Sequence, residues 1–402
     1  MSISIVDSIM GSGKSTWARN YMNSHPEYKW WYVTPYLTEI DNKVFPECNR
    51  LNMKQPQYDT LSPGSSKHDH LRKLIIDGEN IATTHKLFLS ISPNDEMLYH
   101  IQRQNYHLII DEVPDVITAN SITQDDIKYL EKSEIIKIDR DSLEITFINK
   151  DYKGVYKPLL DLSYSGKLYI PEKDVNAVIW IYKKIIFSVF DSIIVLTYLF
   201  NGSYLQSYFD LKGLKYQIDE NILFTPAEKE SATKERIKSH IDIYQGHLND
   251  VGQKKGLTNQ FSHNWYLNKK NEPYRKKLFN NAYNYLHNKC GARSDSALYT
   301  VFKEVAEQTP LRSYKKCFIP CNQRVSNDYQ DRKYLAYLIN MYENPALTTF
   351  FSRRTSHDQT TYALDSLLQW IWRSAIRKDP MEEIHIFIPS TRMRELLIDW
   401  LK

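Results

Sequence analysis

The sequence predicts an α/β fold with parallel sheets, divided between two domains. Through roughly the first quarter of the chain, short apolar runs alternate with helical patterns, which is typical of βαβ units in a parallel sheet. A glycine-rich turn at residues 8–16 separates the first apolar run from the first helical pattern. The same alternation returns near the C-terminus, and 402 residues are enough for two domains of ordinary size.

In the first half, strands are predicted at residues 3–6, 30–34, 80–83 and 107–110, and helices at 16–24 and 68–76. Residues 134–139 and 143–148 alternate with period two around a polar turn and predict a β-hairpin. A helix is expected at 177–190, leading into a strand at 192–197. We therefore expect a first domain at residues 1–207, with an inserted β-hairpin and helical subdomain at about 118–190.

The second domain is expected at residues 208–402, with a polar, helix-rich insertion at about 225–305. Helices are predicted there at 273–288 and 296–308. The chain then returns to an α/β pattern, with strands at 316–320 and 383–389 and helices at 331–342, 362–376 and 391–401.

The composition is that of a globular protein without an overall basic field. Hydrophobic residues make up 42%, charged residues 25%, and the net charge is +4, so nucleic-acid binding would require a local groove.

The four cysteines show no metal or disulfide spacing, and we expect thiols in a reducing cytoplasm. No signal peptide is expected, and charges interrupt the apolar stretch 177–200, which predicts core rather than a membrane span.

Residues 8–16, Ser-Ile-Met-Gly-Ser-Gly-Lys-Ser-Thr, form the most informative motif of the chain. A strand before it and a helix after it give the context of a phosphate-binding P-loop. Lys14 would reach the β- and γ-phosphates of ATP, and Ser15 would hold Mg²⁺. The residues expected to bind the nucleotide are Gly11, Ser12, Gly13, Lys14, Ser15 and Thr16. The pattern departs from the usual form at Ser8, where glycine or alanine is common.

A second acidic motif follows the apolar run 107–110. Asp111 would hold Mg²⁺ through water, and Glu112 would orient or deprotonate the attacking water. An acidic turn in contact with solvent is the alternative, but a P-loop earlier in the same chain favours a hydrolytic site.

A third motif lies in the C-terminal part of the chain. Gln369, Arg373 and Arg377 are spaced i, i+4 and i+8, so a continuous helix would carry them on one face. Arginines in such an arrangement are suited to contact a γ-phosphate as an arginine finger. A basic helix face bordering water is the structural alternative.

With these three motifs in order, the chain resembles a superfamily 2 helicase of the DExD/H type, in the compact form encoded by phages and plasmids. Residues 8–16 resemble motif I, Asp111-Glu112-Val113-Pro114 resembles motif II, and residues 369–377 resemble motif VI. The resemblance implies two RecA-like domains with ATP in the cleft between them. In the family the second arginine of motif VI falls seven residues after the glutamine, whereas Arg377 falls eight residues after it.

Weaker correspondences imply nucleic-acid contacts. Residues 34–39 resemble motif Ia, 83–85 motif Ib, 196–198 motif III and 322–327 motif V. The contact residues expected from these motifs, with one aromatic candidate for base stacking, are Thr34, Thr84, His85, Arg324, Asn327 and Trp265.

The leading prediction is an ATP-dependent helicase or single-strand translocase, a hydrolase that uses ATP and Mg²⁺ in phage or plasmid DNA replication or recombination. Single-stranded or forked nucleic acid, with DNA favoured, is the expected partner, together with proteins of such a complex and no membrane. The alternatives are a DNA-packaging-type ATPase and a nucleotide-dependent motor or switch that acts on a protein without separating strands. A small-molecule kinase fits less well, because the chain has a second α/β half.

Overall fold

The computed structural model describes residues 1–58, 66–92, 95–171, 175–219, 227–252, 259–321, 329–352, 354–355, 357–378 and 380–402. The chain forms two compact units. The first comprises Met1–Phe224 and Asn344–Asp358, and the second comprises Thr225–Glu343 and Gln359–Lys402. Each unit has its own sheet of parallel strands, which confirms the predicted α/β class.

The first unit is built on a six-stranded parallel sheet in the order β11-β1-β10-β4-β2-β3. Its central strands are buried apolar runs, as expected for a parallel sheet covered on both faces. The strands are β1 (Ser2–Asp7), β2 (Lys29–Thr34), β3 (Ile81–Thr84), β4 (Tyr106–Asp111), β10 (Ser192–Thr197) and β11 (Gln217–Ile218).

Helices connect these strands. The helix at Lys67–Asp77 shows how sequence sets the bounds, because Ser66 and Asp69 form a capping box and Gly78 ends the helix at φ 68°. The helices of this unit are α1 (Lys14–Ser24), α2 (Leu37–Glu39), α3 (Phe45–Glu47), α4 (Lys67–Asp77), α5 (His85–Leu89), α6 (Asp95–Arg103), α7 (Gln124–Lys132), α8 (Lys157–Ser165), α9 (Ile185–Ser188), α10 (Tyr204–Lys212) and α15 (Pro345–Ser352), with a π-helical turn at Ile40–Val44.

The insertion in the first unit is a five-stranded antiparallel sheet in the order β5-β9-β8-β7-β6. The predicted hairpin is present as β6 and β7, but the helix predicted at 177–190 is wrong: its first half is strand β9, which pairs with β5 and β8. The strands are β5 (Ile117–Ser121), β6 (Ile136–Ile138), β7 (Glu144–Phe147), β8 (Gly166–Tyr169) and β9 (Ala177–Tyr182).

The second unit contains a four-stranded parallel sheet in the order β12-β15-β14-β13. The helix predicted at 296–308 is wrong in its first half, which is a strand of this sheet. The helix predicted at 331–342 is wrong, because this range contains another strand of the sheet and no helix. The predicted strand at 316–320 is a 3₁₀ turn followed by a single bridge from Phe318 to Tyr299. The strands are β12 (Ile241–Ile243), β13 (Ala297–Thr300), β14 (Tyr334–Tyr337) and β15 (Ile384–Phe387).

The helices of the second unit are α11 (Ala227–His240), α12 (His263–Leu267), α13 (Glu272–Tyr283), α14 (Lys303–Gln308), α16 (Gln359–Ile371) and α17 (Thr391–Trp400). Shorter 3₁₀ segments lie at His247–Gly252, Lys269–Asn271, Lys315–Cys317 and Ala375–Arg377, and a π-helical segment at Asn284–Lys289. No helix in the described ranges is long and apolar enough to cross a membrane.

The predicted boundary after residue 207 falls inside α10, a helix of the first unit. The first unit continues because β11 pairs with β1 beyond this helix. A segment from later in the chain, α15, also belongs to the first unit and packs against β5 and β9. The predicted helical insertion at 225–305 contains both α-helices and the strands β12 and β13.

Candidate functional site

Five of the predicted motifs meet at the carboxyl edge of the first sheet. Asp7, at the end of β1, lies opposite Thr197 of β10, and Leu196 lies opposite Asp111 of β4. On the other side of β4, Thr34 at the end of β2 lies opposite Thr84 at the end of β3. The carboxyl edge of a parallel α/β sheet is where ligands of such folds bind.

The glycine-rich loop turns sharply from β1 into α1. Gly11 and Gly13 have φ values of 78° and 91°, a region that glycine enters without strain. Gly13 is the residue before α1, which begins at Lys14 and runs for 11 residues. The first N–H groups of this helix are therefore directed at the loop, which suits them to an anion.

The side chain of Lys14 lies inside the same loop. Its Nζ donates to the backbone carbonyls of Ser8 and Ile9, the second at 3.0 Å. Ser8, the residue that departs from the usual pattern, is only 1% exposed, and its backbone N–H donates to the Thr197 carbonyl at 3.0 Å. A small residue fits such a buried position, so serine preserves the loop geometry.

Asp111 is the polar centre of the site. Its Oδ1 accepts a hydrogen bond from the Ser15 hydroxyl at 2.9 Å, and its Oδ2 accepts one from the Tyr32 hydroxyl at 2.5 Å. Burial raises the pKa of Tyr32 well above its ordinary value, and the Asp111 charge raises it further, so Tyr32 remains a neutral donor. A serine hydroxyl beside a carboxylate provides the hard oxygen ligands that Mg²⁺ prefers, and the residues present fit this ion.

Glu112 adopts an unusual backbone conformation. Its φ is 63°, in the left-handed region, which costs a non-glycine residue about 1 kcal/mol. Its N–H donates to the Leu196 carbonyl at 3.1 Å. Strained residues of this kind persist where surrounding contacts determine them, and they cluster at functional sites.

Three polar residues that were not predicted as site residues lie around Asp111. Tyr32 contacts its carboxylate directly. Glu39 accepts a hydrogen bond from Thr34, and burial, with the nearby Asp111 charge, raises the pKa of Glu39. Arg19, on α1, donates from Nε to Glu47 at 2.7 Å. The sequence around Tyr32 is an apolar strand and predicts a core residue, so the contact of Tyr32 with Asp111 is visible only in the tertiary structure.

Of the four predicted nucleic-acid contacts that lie in the described residues, three are buried and Thr84 is half-buried. Thr34 is fully buried with its hydroxyl on Glu39, and Thr84 uses its hydroxyl to cap α5. His85 is 6% exposed, and its Nε2 lies 2.9 Å from the Asp111 carbonyl. Trp265 packs between Phe261 and Tyr266 in the core of the second unit. The burial of Thr34, His85 and Trp265 thus argues against the prediction that they contact nucleic acid directly.

Arg324 and Asn327, the contacts predicted from the motif V resemblance, lie outside the described residues.

The third motif does not form the continuous helix face that its spacing predicts. Helix α16 ends at Ile371, where the Ser374 backbone N–H and hydroxyl both donate to the Ile371 carbonyl, at 3.0 and 2.6 Å. Serine bonding to a carbonyl in the preceding turn competes with helix continuation. The expectation that Gln369, Arg373 and Arg377 share one helix face is therefore wrong.

Each of these three residues has contacts within the second unit. Gln369 donates to the Asp365 carboxylate at 3.0 and 3.1 Å. Arg373 is 1% exposed and donates from Nη1 to the Pro320 carbonyl at 3.1 Å. Arg377 ends the 3₁₀ segment Ala375–Arg377, and its backbone N–H donates to the Ser374 carbonyl at 3.3 Å.

Comparisons with known proteins bear on both units. Residues 235–401 match the family model described as the YonV C-terminal Rossmann-like domain. The whole chain is 32% identical, over 417 residues, to the SPbeta prophage-derived uncharacterized protein YonV of Bacillus subtilis (strain 168), covering 100% of this chain and 98% of that protein. A solved structure titled XPD_Helicase superposes with a TM-score of 0.47 at 12% identity, covering 100% of this chain and 95% of that chain. From the full-length match, the chain belongs to the YonV family.

Proposed function

We propose that the first unit binds a magnesium–nucleoside triphosphate, with ATP favoured, and hydrolyses it. The observation that carries the proposal is the hydrogen bond of 2.9 Å between Ser15 and Asp111, which joins the glycine-rich loop to the acidic strand end. The positive φ of Gly11 and Gly13 and the start of α1 at Lys14 support it, because backbone N–H groups at a helix N-terminus bind phosphate.

Each residue has a defined task in this proposal. Ser15 and Asp111 would hold Mg²⁺, which neutralises phosphate charge when bound. Lys14 would exchange the carbonyls of Ser8 and Ile9 for the phosphate oxygens. Glu112 would orient the attacking water and accept its proton as the water oxygen bonds to the γ-phosphorus, while the bond from the γ-phosphorus to the bridging oxygen breaks and ADP leaves. Gly11, Ser12, Gly13 and Thr16 would contribute backbone and hydroxyl donors to the phosphates.

We further propose that hydrolysis drives movement along, or separation of, nucleic-acid strands, with single-stranded or forked DNA as the partner. The resemblance of three ordered motifs to a DExD/H helicase supports this step. The role of Arg373 as an arginine finger stays a prediction.

A second candidate is a nucleotide-dependent motor or switch that acts on a protein. The burial of Thr34, His85 and Trp265 favours it, since these residues were expected to touch nucleic acid directly.

One experiment separates the two candidates. The ATPase rate of the purified protein is measured against single- and double-stranded DNA and RNA at two salt concentrations. A translocase is stimulated by single strands, and the concentration needed for half-maximal stimulation rises with salt because phosphate contacts release counterions. An ATPase rate that no nucleic acid changes, at either salt concentration, supports the protein-directed candidate.

A further inference from the structure

We propose that His85 is a positioning residue for hydrolysis, which sets the orientation of Glu112 through the backbone of Asp111. The inference rests on the proposed function, since it deepens the role of Glu112. His85 was expected from sequence to contact nucleic acid, but its buried ring lies 2.9 Å from the Asp111 carbonyl.

The hydrogen bond has one possible direction. A carbonyl oxygen only accepts, so Nε2 of His85 must carry the proton. His85 is the first residue of α5 and follows directly on β3. In the sheet order, β2 lies between β3 and β4, so the imidazole reaches across the end of β2 to the end of β4.

The peptide between Asp111 and Glu112 is thereby held at both ends. Its carbonyl accepts from His85, and its N–H donates to Leu196 of β10 at 3.1 Å. The backbone of Glu112, which follows this peptide, has a φ of 63°. Two opposed hydrogen bonds thus hold a conformation that a glutamate would otherwise avoid.

The side chain and the backbone carbonyl of Asp111 therefore have different partners. The Asp111 carboxylate accepts hydrogen bonds from Ser15 and Tyr32, whereas Nε2 of His85 donates to the backbone carbonyl that precedes Glu112. Loss of the imidazole should therefore disturb the position of Glu112 and leave the metal-side contacts in place. Misplacement of a catalytic group by about 1 Å lowers turnover by about a hundredfold.

The test compares His85→Ala and His85→Gln with the matched control His107→Gln. His107 is also a buried histidine of this sheet, but it lies at the opposite end of β4 and bonds to Ser192 at 2.6 Å. We expect His85→Ala to lower kcat about tenfold or more, with the Kd for magnesium–ATP changed less than twofold. Glutamine, which keeps a donor near the Nε2 position, should restore much of kcat, and His107→Gln should match the parent.

Hydrogen–deuterium exchange of the full-length protein gives a readout without turnover. His85→Ala should speed exchange in the peptide containing the Glu112 amide, and leave the peptide containing Lys14 and Ser15 unchanged. Unchanged exchange at Glu112 together with unchanged kcat would overturn the role of His85, while the parent still hydrolyses ATP. Failure of the proposed function looks different, because the parent and the His107→Gln variant would then both lack hydrolysis.

Discussion

Asp111 accepts two hydrogen bonds on separate carboxylate oxygens, one from Ser15 and one from Tyr32. Tyr32→Phe removes only the hydroxyl, so we expect the Mg²⁺ concentration for half-maximal ATPase to rise about tenfold, as is typical when a partner of a metal-binding carboxylate is lost. Nucleotide binding without Mg²⁺ should not change.

The control for this variant is Tyr106→Phe. Tyr106 is also a buried tyrosine, but it begins β4, and its hydroxyl donates to the Glu79 carbonyl at the end of the strand opposite Asp111. Equal Mg²⁺ dependence in Tyr32→Phe and Tyr106→Phe would show that Tyr32 has no part in holding Asp111.

Glu39 gives a prediction about pH. Burial and the Asp111 charge raise its folded-state pKa, so the folded state binds a proton more tightly than the unfolded state. Ionised Glu39 therefore destabilises the fold at neutral pH, and this effect fades as the pH falls through the raised folded pKa and is gone below the unfolded pKa. Glu39→Gln, which can still accept from Thr34, should raise the free energy of unfolding at pH 7 but not at pH 4.

Urea unfolding at the two pH values measures this difference. Glu27→Gln, at an exposed position, serves as the control for the loss of a carboxylate and is measured at the same two pH values. A Glu39→Gln variant that is less stable than the parent at pH 7 would mean that the carboxylate contributes a net favourable interaction there.

The beginning of α1 is the element on which phosphate binding depends. Gly13 precedes the helix at a φ of 91°, with open space where a Cβ would lie. Gly13→Ala should therefore cost about 1 kcal/mol of stability through backbone strain alone, and should also weaken magnesium–ATP binding because the loop relaxes away from this conformation.

Gly213→Ala is the matched control, since Gly213 has a φ of 61° and equally open space after α10. Both variants should lose similar stability in thermal unfolding, but only Gly13→Ala should lose affinity in a nucleotide titration. Loss of affinity in both variants would indicate a general effect of lower stability.

At the level of elements, local pattern predicted the strands and helices around the glycine-rich loop, and the structure has β1, α1, β2, α4, β3 and β4 close to the predicted bounds. The pattern failed at Ala177–Tyr182 and Tyr334–Tyr337, where short apolar runs fit either a helix or a buried strand. Pairing with neighbours that are distant in sequence decides between them, and no local signal carries that information.

The same limit applies to the site. Lys14, Ser15, Asp111 and Glu112 lie in motifs whose spacing is visible in the sequence. Tyr32 and His85 acquire their contacts with Asp111 only when β2, β3 and β4 lie side by side. The spacing of Gln369, Arg373 and Arg377 suggested a helix face that Ser374 interrupts.

On the scale of the whole molecule, the first unit requires a segment from late in the chain. Phe351 of α15 is fully buried in the hydrophobic cluster of the first unit, with its ring centroid 5.7 Å from that of Tyr204. Phe351→Ala should therefore destabilise the first unit by about 3–5 kcal/mol. Hydrogen exchange should speed up in β1, β4 and β10.

Phe279→Ala, in the hydrophobic cluster of the second unit, is the control and should speed exchange in β13 and β14 instead. Equal acceleration in both units for each variant would show that they unfold together.

Steady-state hydrolysis of magnesium–ATP by the full-length protein shows whether the first unit is an ATPase. It is measured with and without single-stranded DNA in the parent, Lys14→Ala and Glu112→Gln. Lys137→Ala, an exposed lysine of β6, is the control. The parent and control should hydrolyse ATP at rates that single strands raise several times. Lys14→Ala should lose magnesium–ATP binding. Glu112→Gln should still bind magnesium–ATP, but its turnover should be lower by a factor of about one hundred or more. Hydrolysis that survives both substitutions, or no hydrolysis by the parent, would show that the glycine-rich loop and Asp111-Glu112 do not form an ATPase site.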